Sequence, residues 1–376
     1  MSVLSIGGLM KKHVKKILLG VGAIMVVLIL VAVSYVIYVV ASYSRIENNL
    51  VLTAHNNQSA ELSMDTEYEI LTYNIGFGAY SKEYSFFLDK GVMQDGKKVA
   101  GKYGKGINKE DVLHNTNGAI GIMNNLNYDF ILAQEVDEDG DRSYHVNQLE
   151  MIKNTLSDYG SVYAKNFHSA HLYYPFNDPH GKTDSAGIVT MSKYRVASAA
   201  RYSLPISDGL SKFFDLDRCF SVSRLPLGEK EFVLINVHLS AYDEGGKIRA
   251  QQLKMLCDFL KKEYDKGNYV LAGGDFNHDI CNSAGTFETQ QKEPDWLAKL
   301  SGEELPQGFS FAVADNKDTV PTCRSSDISY EKGVNYTVII DGFIVSDNIE
   351  IVSVENQDTD FIFSDHNPVH MKFIFR

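Results

Sequence analysis

The chain has 376 residues, of which 44% are hydrophobic and 22% are charged. This is the composition of a globular protein, and the length suffices for one large domain or two ordinary ones. Residues 1–45 hold no Asp or Glu and five of the 36 basic residues, so the remainder, with 48 acidic residues, has a net charge of −17. An acidic body gains little from general attraction to phosphate backbones or anionic lipid, which argues against a nucleic-acid packaging role. It does not exclude an enzyme that meets phosphate through a bound cation.

An apolar run near the start of the chain indicates a membrane-spanning helix. Residues 17–41 are uncharged, and a helix of that length rises roughly 37 Å, against a hydrocarbon core of about 30 Å. The run has no polar face, which disfavours a buried core helix. It is too long for a typical signal-peptide core, although Val39-Val40-Ala41 is a weak cleavage site. We therefore expect an uncleaved anchor rather than a cleaved signal peptide.

The charges around this run predict its orientation. Four lysines precede it, and Arg45 alone follows it closely. The positive-inside rule then makes residues 1–16 a cytoplasmic basic tail and places the rest of the chain outside the cell membrane, held by a single span at 17–41. The polar residues of 42–66 predict a stalk. Residues 67–376 show no internal boundary and predict one domain.

From residue 67 onward the chain alternates between strands and a few helices. Apolar residues at helical spacing predict helices over 111–126, 146–156 and 248–264. Strands are predicted at 69–74, 130–135, 186–191, 219–225, 232–238, 269–272, 338–345 and 370–375. Many strands with few helices predict an α+β fold, in which two sheets form a sandwich with helices outside.

Two segments lack any periodicity and are predicted to be long loops, 77–107 and 166–184. The second contains Tyr173, Tyr174 and Phe176, which could pack on the body, touch a substrate or enter a membrane. We expect them to pack. The four cysteines form no CxxC or zinc-like spacing, and two disulfides are compatible with an extracytoplasmic domain without being required.

Polar side chains stand at or near the ends of several predicted strands. They are Asn74, Glu135, His238, Asp275, Asn277, Asp341, Asp365 and His366. Strand ends are where α/β proteins tend to place chemistry. Gly273 and Gly274 precede Asp275 and allow the backbone to turn sharply or approach a ligand closely.

Each of these residues also has an ordinary structural interpretation. Asp275 and Asn277 favour turns in any protein. Glu135 could be a solvated strand end, and His238 could be a satisfied core histidine. Asp341 is harder to dismiss, because a carboxylate inside an apolar strand needs a partner.

Considered together, the same side chains suit phosphoester chemistry. Glu135 and Asn74 offer hard oxygen ligands to Mg²⁺ or Mn²⁺, and they are too few to surround the ion, which leaves positions for water and phosphate. An imidazole at His366 beside Asp341 would be oriented to act as a base or to stabilise a charged transition state. Asp275 could position or deprotonate water.

The order of the motifs resembles the endonuclease/exonuclease/phosphatase superfamily, which has the deoxyribonuclease I-like fold. The resemblance covers roughly residues 67–376. It rests on Thr72-Tyr73-Asn74, Gln134-Glu135-Val136, Asn236-Val237-His238-Leu239, Gly274-Asp275-Phe276-Asn277, Ile340-Asp341-Gly342-Phe343 and Ser364-Asp365-His366. It implies a four-layered α/β/β/α sandwich of two mixed sheets, with the site at one end of the paired sheets.

The resemblance also implies a metal site. Glu135 would be the main ligand of Mg²⁺, with Mn²⁺ as the alternative ion, and Asn74 would lie beside it. Asp365 would be a further carboxylate near the metal. No second metal carboxylate follows Asn74, and the segment from Gly76 onward differs from the short metal-binding loop of repair nucleases, so one-metal and two-metal chemistry stay open.

The catalytic roles that the resemblance implies fall on five residues. Asp275 would align or activate the attacking water and Asn277 would hold the phosphate. Asp341 would orient His366, and His238 would stabilise the developing charge. His278 and Asp279 receive no role, and we expect them to line the rim of the site or cap its turn.

These inferences predict a monomeric, membrane-anchored, extracytoplasmic enzyme that hydrolyses a phosphodiester of a lipid headgroup or a small phosphoester by in-line attack of water. The first alternative is an extracellular nuclease, for which nucleic acid would be a substrate and not a stable binding partner. A net charge of −17 leaves few basic residues to form a groove for a long strand. The second is a non-catalytic binding domain of the same fold. The presence of all the expected polar residues argues against it.

Overall fold

The N-terminal residues form one long helix. A computed structural model describes residues 3–376 apart from 208, 210, 211, 213–216 and 242–246. It divides the chain into two units, Met1–Ser44 and Arg45–Arg376. The first unit contains α1 (Val3–Ser42), in which His13–Ser42 is long and apolar enough to cross a bilayer. Length and composition of this kind are compatible with a membrane span or a signal anchor.

The second unit is rich in short strands. Its helices are α2 (Lys109–Asn125), α3 (Gln148–Thr155) and α4 (Lys247–Tyr264). Its strands are β1 (Leu50–Leu52), β2 (Ala54–His55), β3 (Glu67–Asn74), β4 (Lys90–Val92), β5 (Lys98–Ala100), β6 (Phe130–Gly140), β7 (Gly160–Leu172), β8 (Gly181–Ser192), β9 (Ser198–Ser203), β10 (Cys219–Leu227), β11 (Lys230–His238), β12 (Tyr269–Asp275), β13 (His278–Asp279), β14 (Ala298–Lys299), β15 (Phe309–Ala312), β16 (Cys323–Arg324), β17 (Thr337–Val338), β18 (Asp341–Ser346), β19 (Ile349–Asn356) and β20 (Val369–Phe375).

Two mixed sheets contain most of these strands. Sheet I has the order β19-β20-β3-β6-β8-β7-β2, and sheet II has the order β1-β9-β10-β11-β12-β18-β15. The pairs β3–β6 and β11–β12 are parallel, and each is bordered by antiparallel strands. The parallel pairs lie near the middle of their sheets and end at the same side of the molecule, where the candidate site is found.

The helices cover the outer faces of the sheets. Ile120 of α2 and Ile152 of α3 pack on sheet I, and Leu256 of α4 packs on sheet II. The inner faces meet in a core that includes Ile70, Leu132, Phe232, Leu234, Leu271 and Phe343. The predicted α/β/β/α sandwich is therefore confirmed. A hydrogen bond of 2.8 Å from Gln134 Nε2 to Asn236 Oδ1 also joins the sheets, and both side chains are buried.

The predicted stalk at 42–66 is wrong from Arg45 onward. β1 pairs with β9 at the edge of sheet II, and β2 pairs with β7 at the edge of sheet I. The Asn57 side chain exchanges two hydrogen bonds with the backbone of Val196, and Leu62 enters the core between the sheets. The polar side chains here bond to the body instead of to water, so composition alone suggested a free linker. Covering the sheet edges in this way protects them from pairing with other chains.

The second predicted loop is much shorter than 166–184. β7 continues to Leu172 and β8 begins at Gly181, which leaves residues 173–180 between them. Tyr173 and Tyr174 are about half exposed and Phe176 is 85% exposed, so the expectation that these aromatics pack is wrong for Phe176. The four cysteines are unpaired.

Candidate active site

The polar side chains at the strand ends point into the space between the sheets, because side chains alternate between the two faces of a strand. In β3, Ile70 packs between the sheets, whereas Leu71 and Tyr73 pack under the helices. Because successive side chains of a strand point to opposite faces, Asn74 faces inward with Ile70. On sheet II, the register places His238 beside Asp275.

Two glycines allow the backbone of β12 to pass closely between its neighbours. A Cβ on Gly273 would collide with the ring of Phe343, and a Cβ on Gly274 would collide with the carbonyl oxygen of Val237. Gly274 also has φ +148°, which L side chains rarely adopt. Packing therefore requires both glycines. They set the path of the backbone that positions Asp275.

Glu135 reaches the site through a β-bulge. The register of β6 against β8 shifts between Ala133 and Val136, and Glu135 has φ +54°. A bulge re-aims a side chain, and a positive φ in a residue other than glycine is concentrated at functional sites. Its Oε1 lies 3.4 Å from Asn74 Nδ2 and 3.8 Å from His238 Nε2. The bulge thus turns one carboxylate of sheet I toward the polar ends of both sheets.

Asp275 lies at the centre of the cluster. Its Oδ2 accepts a hydrogen bond from Asn74 Nδ2 at 3.0 Å and lies 3.3 Å from His238 Nε2 and 3.8 Å from His366 Nε2. Burial acts to raise the pKa of Asp275, but His366 and His238 outweigh it and hold that pKa well below its usual range. Asp275 is therefore an ionised carboxylate at neutral pH, surrounded by donors.

His366 is oriented by Asp341. Its Nδ1 lies 2.8 Å from Asp341 Oδ2, and both side chains are buried. Burial acts to lower the pKa of His366, whereas the carboxylates of Asp341 and Asp275 raise it, and the net direction is well above the usual value. The imidazole thus turns Nε2 toward Asp275 and the pocket. Asp341 Oδ1 has no hydrogen-bond partner among the described residues.

His238 has the opposite character. Burial, with a contribution from Arg218, lowers the pKa of His238 below its usual value despite the neighbouring Asp275. A neutral imidazole can donate one N–H, and Nε2 is the nitrogen that faces Asp275 and Glu135. The two histidines of the cluster are therefore tuned apart, one toward the charged form and one toward the neutral form.

The cluster has more carboxyl groups than cationic side chains, and burial raises the pKa of one of them, Asp341, to about 7. It contains the carboxylates of Glu135, Asp275, Asp341 and Asp365. Among the residues that the structure describes, none of the four forms an ion pair with a Lys or Arg side chain. Burial raises the pKa of Asp365, which His366 and Arg324 partly offset. Hard oxygen donors with uncompensated charge fit a divalent cation such as Mg²⁺.

Two sets of side chains could hold such an ion. Ligand atoms of Asp275, Asp341 and His366 lie within 4.8 Å of one another. Asp341 Oδ2 and His366 Nδ1 are engaged in the 2.8 Å hydrogen bond between them, which leaves Asp341 Oδ1 and His366 Nε2 as the possible ligand atoms of this set. The second set is Glu135 and Asp365, whose carboxylate oxygens are the hard donors that Mg²⁺ prefers and which do not hold His366 in place.

The two asparagines are oriented differently from the prediction. Asn74 Oδ1 accepts a hydrogen bond from the N–H of Gly76 at 2.9 Å, and Nδ2 faces the carboxylates, so binding a metal through oxygen requires the opposite amide orientation. Asn277 lines the pocket but donates Nδ2 to the carbonyl oxygen of Leu239 at 2.8 Å. Its predicted contact with phosphate would have to use its oxygen or replace that bond.

The other two polar residues of the turn have structural partners. Asp279 accepts hydrogen bonds from the backbone N–H groups of Cys281, Ser283 and Ala284. It therefore caps the turn, as predicted. His278 is buried and its Nδ1 lies 2.6 Å from the carbonyl oxygen of Phe276.

The predicted loop at 77–107 forms a wall of the pocket. Phe77, Tyr80 and Phe86 line it, together with Phe167 of β7 and Trp296. Phe77 and Tyr80 are buried, and their rings pack edge to face at 5.4 Å. The absence of hydrophobic periodicity concealed this packing, because these aromatics lie on a short 3₁₀ helix, an isolated β-bridge and irregular chain and not on a long regular element.

Three arginines and a histidine of the pocket were not predicted from the sequence: Arg142, Arg218, Arg324 and His180. All four are buried. Each occurs singly in a segment without a recognisable motif. The predicted strand ended at residue 135, whereas β6 continues to Gly140 and brings Arg142 to Asp137, so no local pattern marked this arginine.

Comparison with known proteins gives a family match. The model of the Endonuclease/Exonuclease/phosphatase family matches residues 71–366. No curated protein matches the chain. The matched range contains every one of the eight predicted site residues.

Several solved structures share the fold. An endonuclease/exonuclease/phosphatase protein from Beutenbergia cavernae is 16% identical with a TM-score of 0.52, over 82% of this chain and 72% of that chain. Truncated TDP2 from Caenorhabditis elegans is 18% identical with a TM-score of 0.50, over 83% and 98%. D. rerio TDP2, complexed with a single-strand DNA product, is 12% identical with a TM-score of 0.51, over 82% and 99%. At these identities the likeness concerns the fold alone.

Proposed function

Because the chain belongs to the endonuclease/exonuclease/phosphatase family, whose members are hydrolases that act on phosphoesters, we propose that it is a membrane-anchored, metal-dependent phosphodiesterase. Its substrate is the phosphodiester of a lipid headgroup or of a small phosphoester. The observation that carries the proposal is the convergence of Asn74, His238 and His366 on Asp275 at the ends of the two sheets, with Glu135 beside Asn74 and His238. A binding domain that had lost catalysis would have no need of this set.

Asp275 and His366 divide the proton chemistry between them. Asp275 stays ionised at neutral pH, so its carboxylate can align a water molecule and accept a hydrogen bond from it. His366, held by Asp341, presents Nε2 on the same side. Its charged form would stabilise negative charge that develops on the phosphate oxygens. His238 can donate its Nε2 hydrogen to the same oxygens.

Glu135 and Asp365 supply the charge that a hard cation requires. These residues, with Asn74 turned to present its oxygen, would hold Mg²⁺ or Mn²⁺, and the bound ion would polarise the phosphate and offset its charge. Without an ion, the carboxylates of the site would repel the phosphate of the substrate, because both are negatively charged. We therefore expect the reaction to depend on a divalent cation.

The pocket favours a compact substrate. Aromatic side chains enclose it on the side of the 77–107 segment. The chain that follows residue 45 has a net charge of −17. A long nucleic acid would gain little from such a surface. A nuclease is the second candidate function, supported by the shared fold of D. rerio TDP2, which was crystallised with a single-strand DNA product.

Hydrolysis of a substrate panel tests the proposal. The full-length protein, purified in detergent, would be given bis-p-nitrophenyl phosphate, glycerophosphodiesters, sphingomyelin, duplex DNA and RNA with Mg²⁺ or Mn²⁺. We expect turnover of the small or lipid phosphodiesters, lost on addition of chelator and in His366→Ala. Glu138→Ala, on the same strand as Glu135 but outside the pocket lining, is the matched control and should keep activity. DNA cleavage without turnover of the other diesters would favour the nuclease, and no turnover of any substrate would refute the enzyme.

The proposed orientation is cytoplasmic for residues 1–16 and extracytoplasmic for the second unit. The lysines before the span support it. A thiol-reactive, membrane-impermeant reagent applied to intact cells tests it, using Phe176→Cys and, as the inside control, Ser2→Cys, each in a variant that lacks the partly exposed thiols of Cys257 and Cys281. Labelling at position 2 alone would reverse the orientation. Cleavage of the first unit from the mature protein, seen by intact-mass measurement, would show a signal peptide instead of an anchor.

A further inference from the structure

We propose that Arg324 forms an anion subsite that binds a second phosphate group of the substrate, next to the phosphate that is hydrolysed. This inference rests on the proposed function and narrows it to phosphodiesters that carry an additional phosphate. The subsite lies in the same pocket as Asp365 and His366. Four observations support the proposal. Arg324 is buried, it has no carboxylate partner, it lies beside the catalytic residues, and its guanidinium is held in one orientation.

Arg324 is buried without an acidic partner. Its side chain is among the largest that are fully buried, at 1% exposure. Its Nη2 donates to the carbonyl oxygen of Ser81 at 3.0 Å, and Nη1 makes only long contacts, of 3.5 Å to Ser325 O and 3.4 Å to Ser326 Oγ. Nε has no hydrogen-bond partner among the described residues. Most of the donor capacity of a buried guanidinium is therefore unused.

Arg142, which is buried, and Arg224, which is half-buried, each have a carboxylate partner. Arg142 makes a two-pronged contact with Asp137, at 3.0 and 2.6 Å. Arg224 does the same with Glu263, at 2.9 and 2.8 Å. A charge taken out of water needs a partner of opposite sign, or it costs several kcal/mol. Arg324 lacks the partner that Arg142 and Arg224 have, and an anionic ligand would supply it.

The backbone places Arg324 directly beside the catalytic residues. Cys323 forms a β-bridge with His366, and the N–H of Arg324 donates to the carbonyl oxygen of Asp365 at 3.0 Å. The side chain then extends toward Ser81, in the segment 77–107 that forms the pocket wall. A phosphate at the guanidinium would thus lie to one side of the cluster and could belong to the same compact substrate.

The guanidinium is held in place before any ligand binds. The Ser326 hydroxyl donates to Asp365 Oδ2 at 3.2 Å and accepts from Arg324 Nη1. The Tyr330 ring lies with its centroid 5.5 Å from Arg324 Cζ. A pre-ordered, planar fork of N–H donors matches the oxygens of phosphate, which a lysine ammonium does not. The competing explanation is that Arg324 only balances Asp365 through Ser326, and the experiment separates the two.

Two matched substrate pairs test the subsite with the full-length enzyme. The first is glycerophosphoinositol and glycerophosphoinositol 4-phosphate. The second is thymidine 5′-(p-nitrophenyl phosphate) and its 3′-phosphorylated form. Members of a pair share the scissile diester and differ by one phosphate, and the pair that responds shows whether the second phosphate comes from a lipid headgroup or from a nucleotide.

The readout is the ratio of kcat/KM within a pair. Charged hydrogen bonds of this kind predict a preference of roughly tenfold to a hundredfold for the phosphorylated member in one pair. Arg324→Gln should bring that ratio close to one, and Arg324→Lys, which keeps the charge, should retain part of it. Arg195→Gln, which alters an exposed arginine paired with Glu61, should leave the ratio unchanged. A ratio of one in wild type, or an equal loss for both members in Arg324→Gln, would overturn the subsite.

Binding separates this proposal from the proposed function. If no diester is hydrolysed, the proposed function fails, and titration of the metal-stripped protein with inorganic phosphate, followed by phosphorus NMR, decides the subsite. We expect Arg324→Gln to bind phosphate at least about fivefold more weakly than wild type. This is less than the full effect of losing a charged hydrogen bond. Equal affinity of the two proteins would refute the subsite. Thermal unfolding of each variant shows whether it is folded.

Discussion

The imidazole of His366 and the carboxylate of Asp341 form a buried pair, with 2.8 Å between Nδ1 and Oδ2. The pair is built from distant parts of the sequence, since Asp341 begins β18 in sheet II and His366 precedes β20 in sheet I. Asp341 itself is fixed by strand pairing, and Thr322 Oγ1 accepts its backbone N–H at 3.1 Å. His366 is therefore a pre-oriented group, which is what transition-state stabilisation requires.

Asp341→Asn should lower kcat with little change in KM. The amide keeps the size of the side chain but removes the carboxylate that orients and charges His366, and positioned acid–base groups contribute roughly 10²- to 10⁴-fold. The double variant Asp341→Asn with His366→Ala should be no slower than His366→Ala alone, because the two residues act as a unit. Steady-state kinetics of the three variants provides the check. Additive losses would show that Asp341 acts independently of His366.

Glu135→Gln should weaken binding of the metal ion on which the reaction depends. The substitution keeps the shape of the side chain and removes the negative charge that the cation would meet. We expect the Mg²⁺ concentration for half-maximal rate to rise by at least about tenfold, the lower end for changes around a metal site. Glu138→Gln is the matched control. An unchanged Mg²⁺ titration curve in Glu135→Gln would remove Glu135 from the metal site.

Much of the site was predictable because strand alternation is a local rule. Asn74 and His238 end predicted strands, and both lie in inward-facing rows, whereas Asp275 lay beyond the predicted strand 269–272 and reaches the site because β12 continues to it. The sequence could not show the bulge that re-aims Glu135, because a bulge depends on pairing with β8 and leaves no trace in composition. The direction of the Asn74 amide was hidden for a similar reason, since the backbone N–H of Gly76 decides it.

Contacts that join distant segments account for the remaining errors. Residues 45–66 were predicted as a stalk because their polarity resembles that of a linker, yet Asn57 uses its polar atoms on Val196. Arg324 was overlooked because nothing near it in the sequence marks it as buried. Its environment comes from Ser81 and Tyr330, which only the folded chain brings to it. Local patterns predict which face a side chain occupies, but not which distant segment covers it.

Gly274→Ala should destabilise the fold severely. A Cβ at this position would collide with the carbonyl oxygen of Val237, and the backbone has φ +148°. Collisions with backbone atoms cannot be relieved by a rotamer change, so we expect a loss on the order of 4 kcal/mol in the free energy of unfolding. Gly302→Ala is the control, because a Cβ there meets nothing within 4 Å. Urea unfolding measures both, and equal midpoints would contradict the predicted collision.

Acidification should unfold the protein partly through His180. This side chain is 5% exposed, and its Nδ1–H donates to the carbonyl oxygen of Gly104. Burial, with Arg142 nearby, lowers the pKa of His180 to about 3. In the unfolded chain the same group binds a proton below its ordinary pKa of about 6.5, so the unfolded state holds more protons between those two values and stability falls as the pH falls. One proton corresponds to about 1.4 kcal/mol per pH unit over that window.

The slope of stability against pH, measured by urea unfolding from pH 4 to pH 7, tests this origin. His180→Gln removes the titrating group, so its slope should be shallower than that of wild type by about one proton, whatever its absolute stability. His55→Gln, which changes an exposed histidine, should keep the wild-type slope. The slope is a better readout than the midpoint, because losing the Gly104 hydrogen bond lowers stability at every pH. Parallel slopes for wild type and His180→Gln would show that the acid sensitivity arises in other groups.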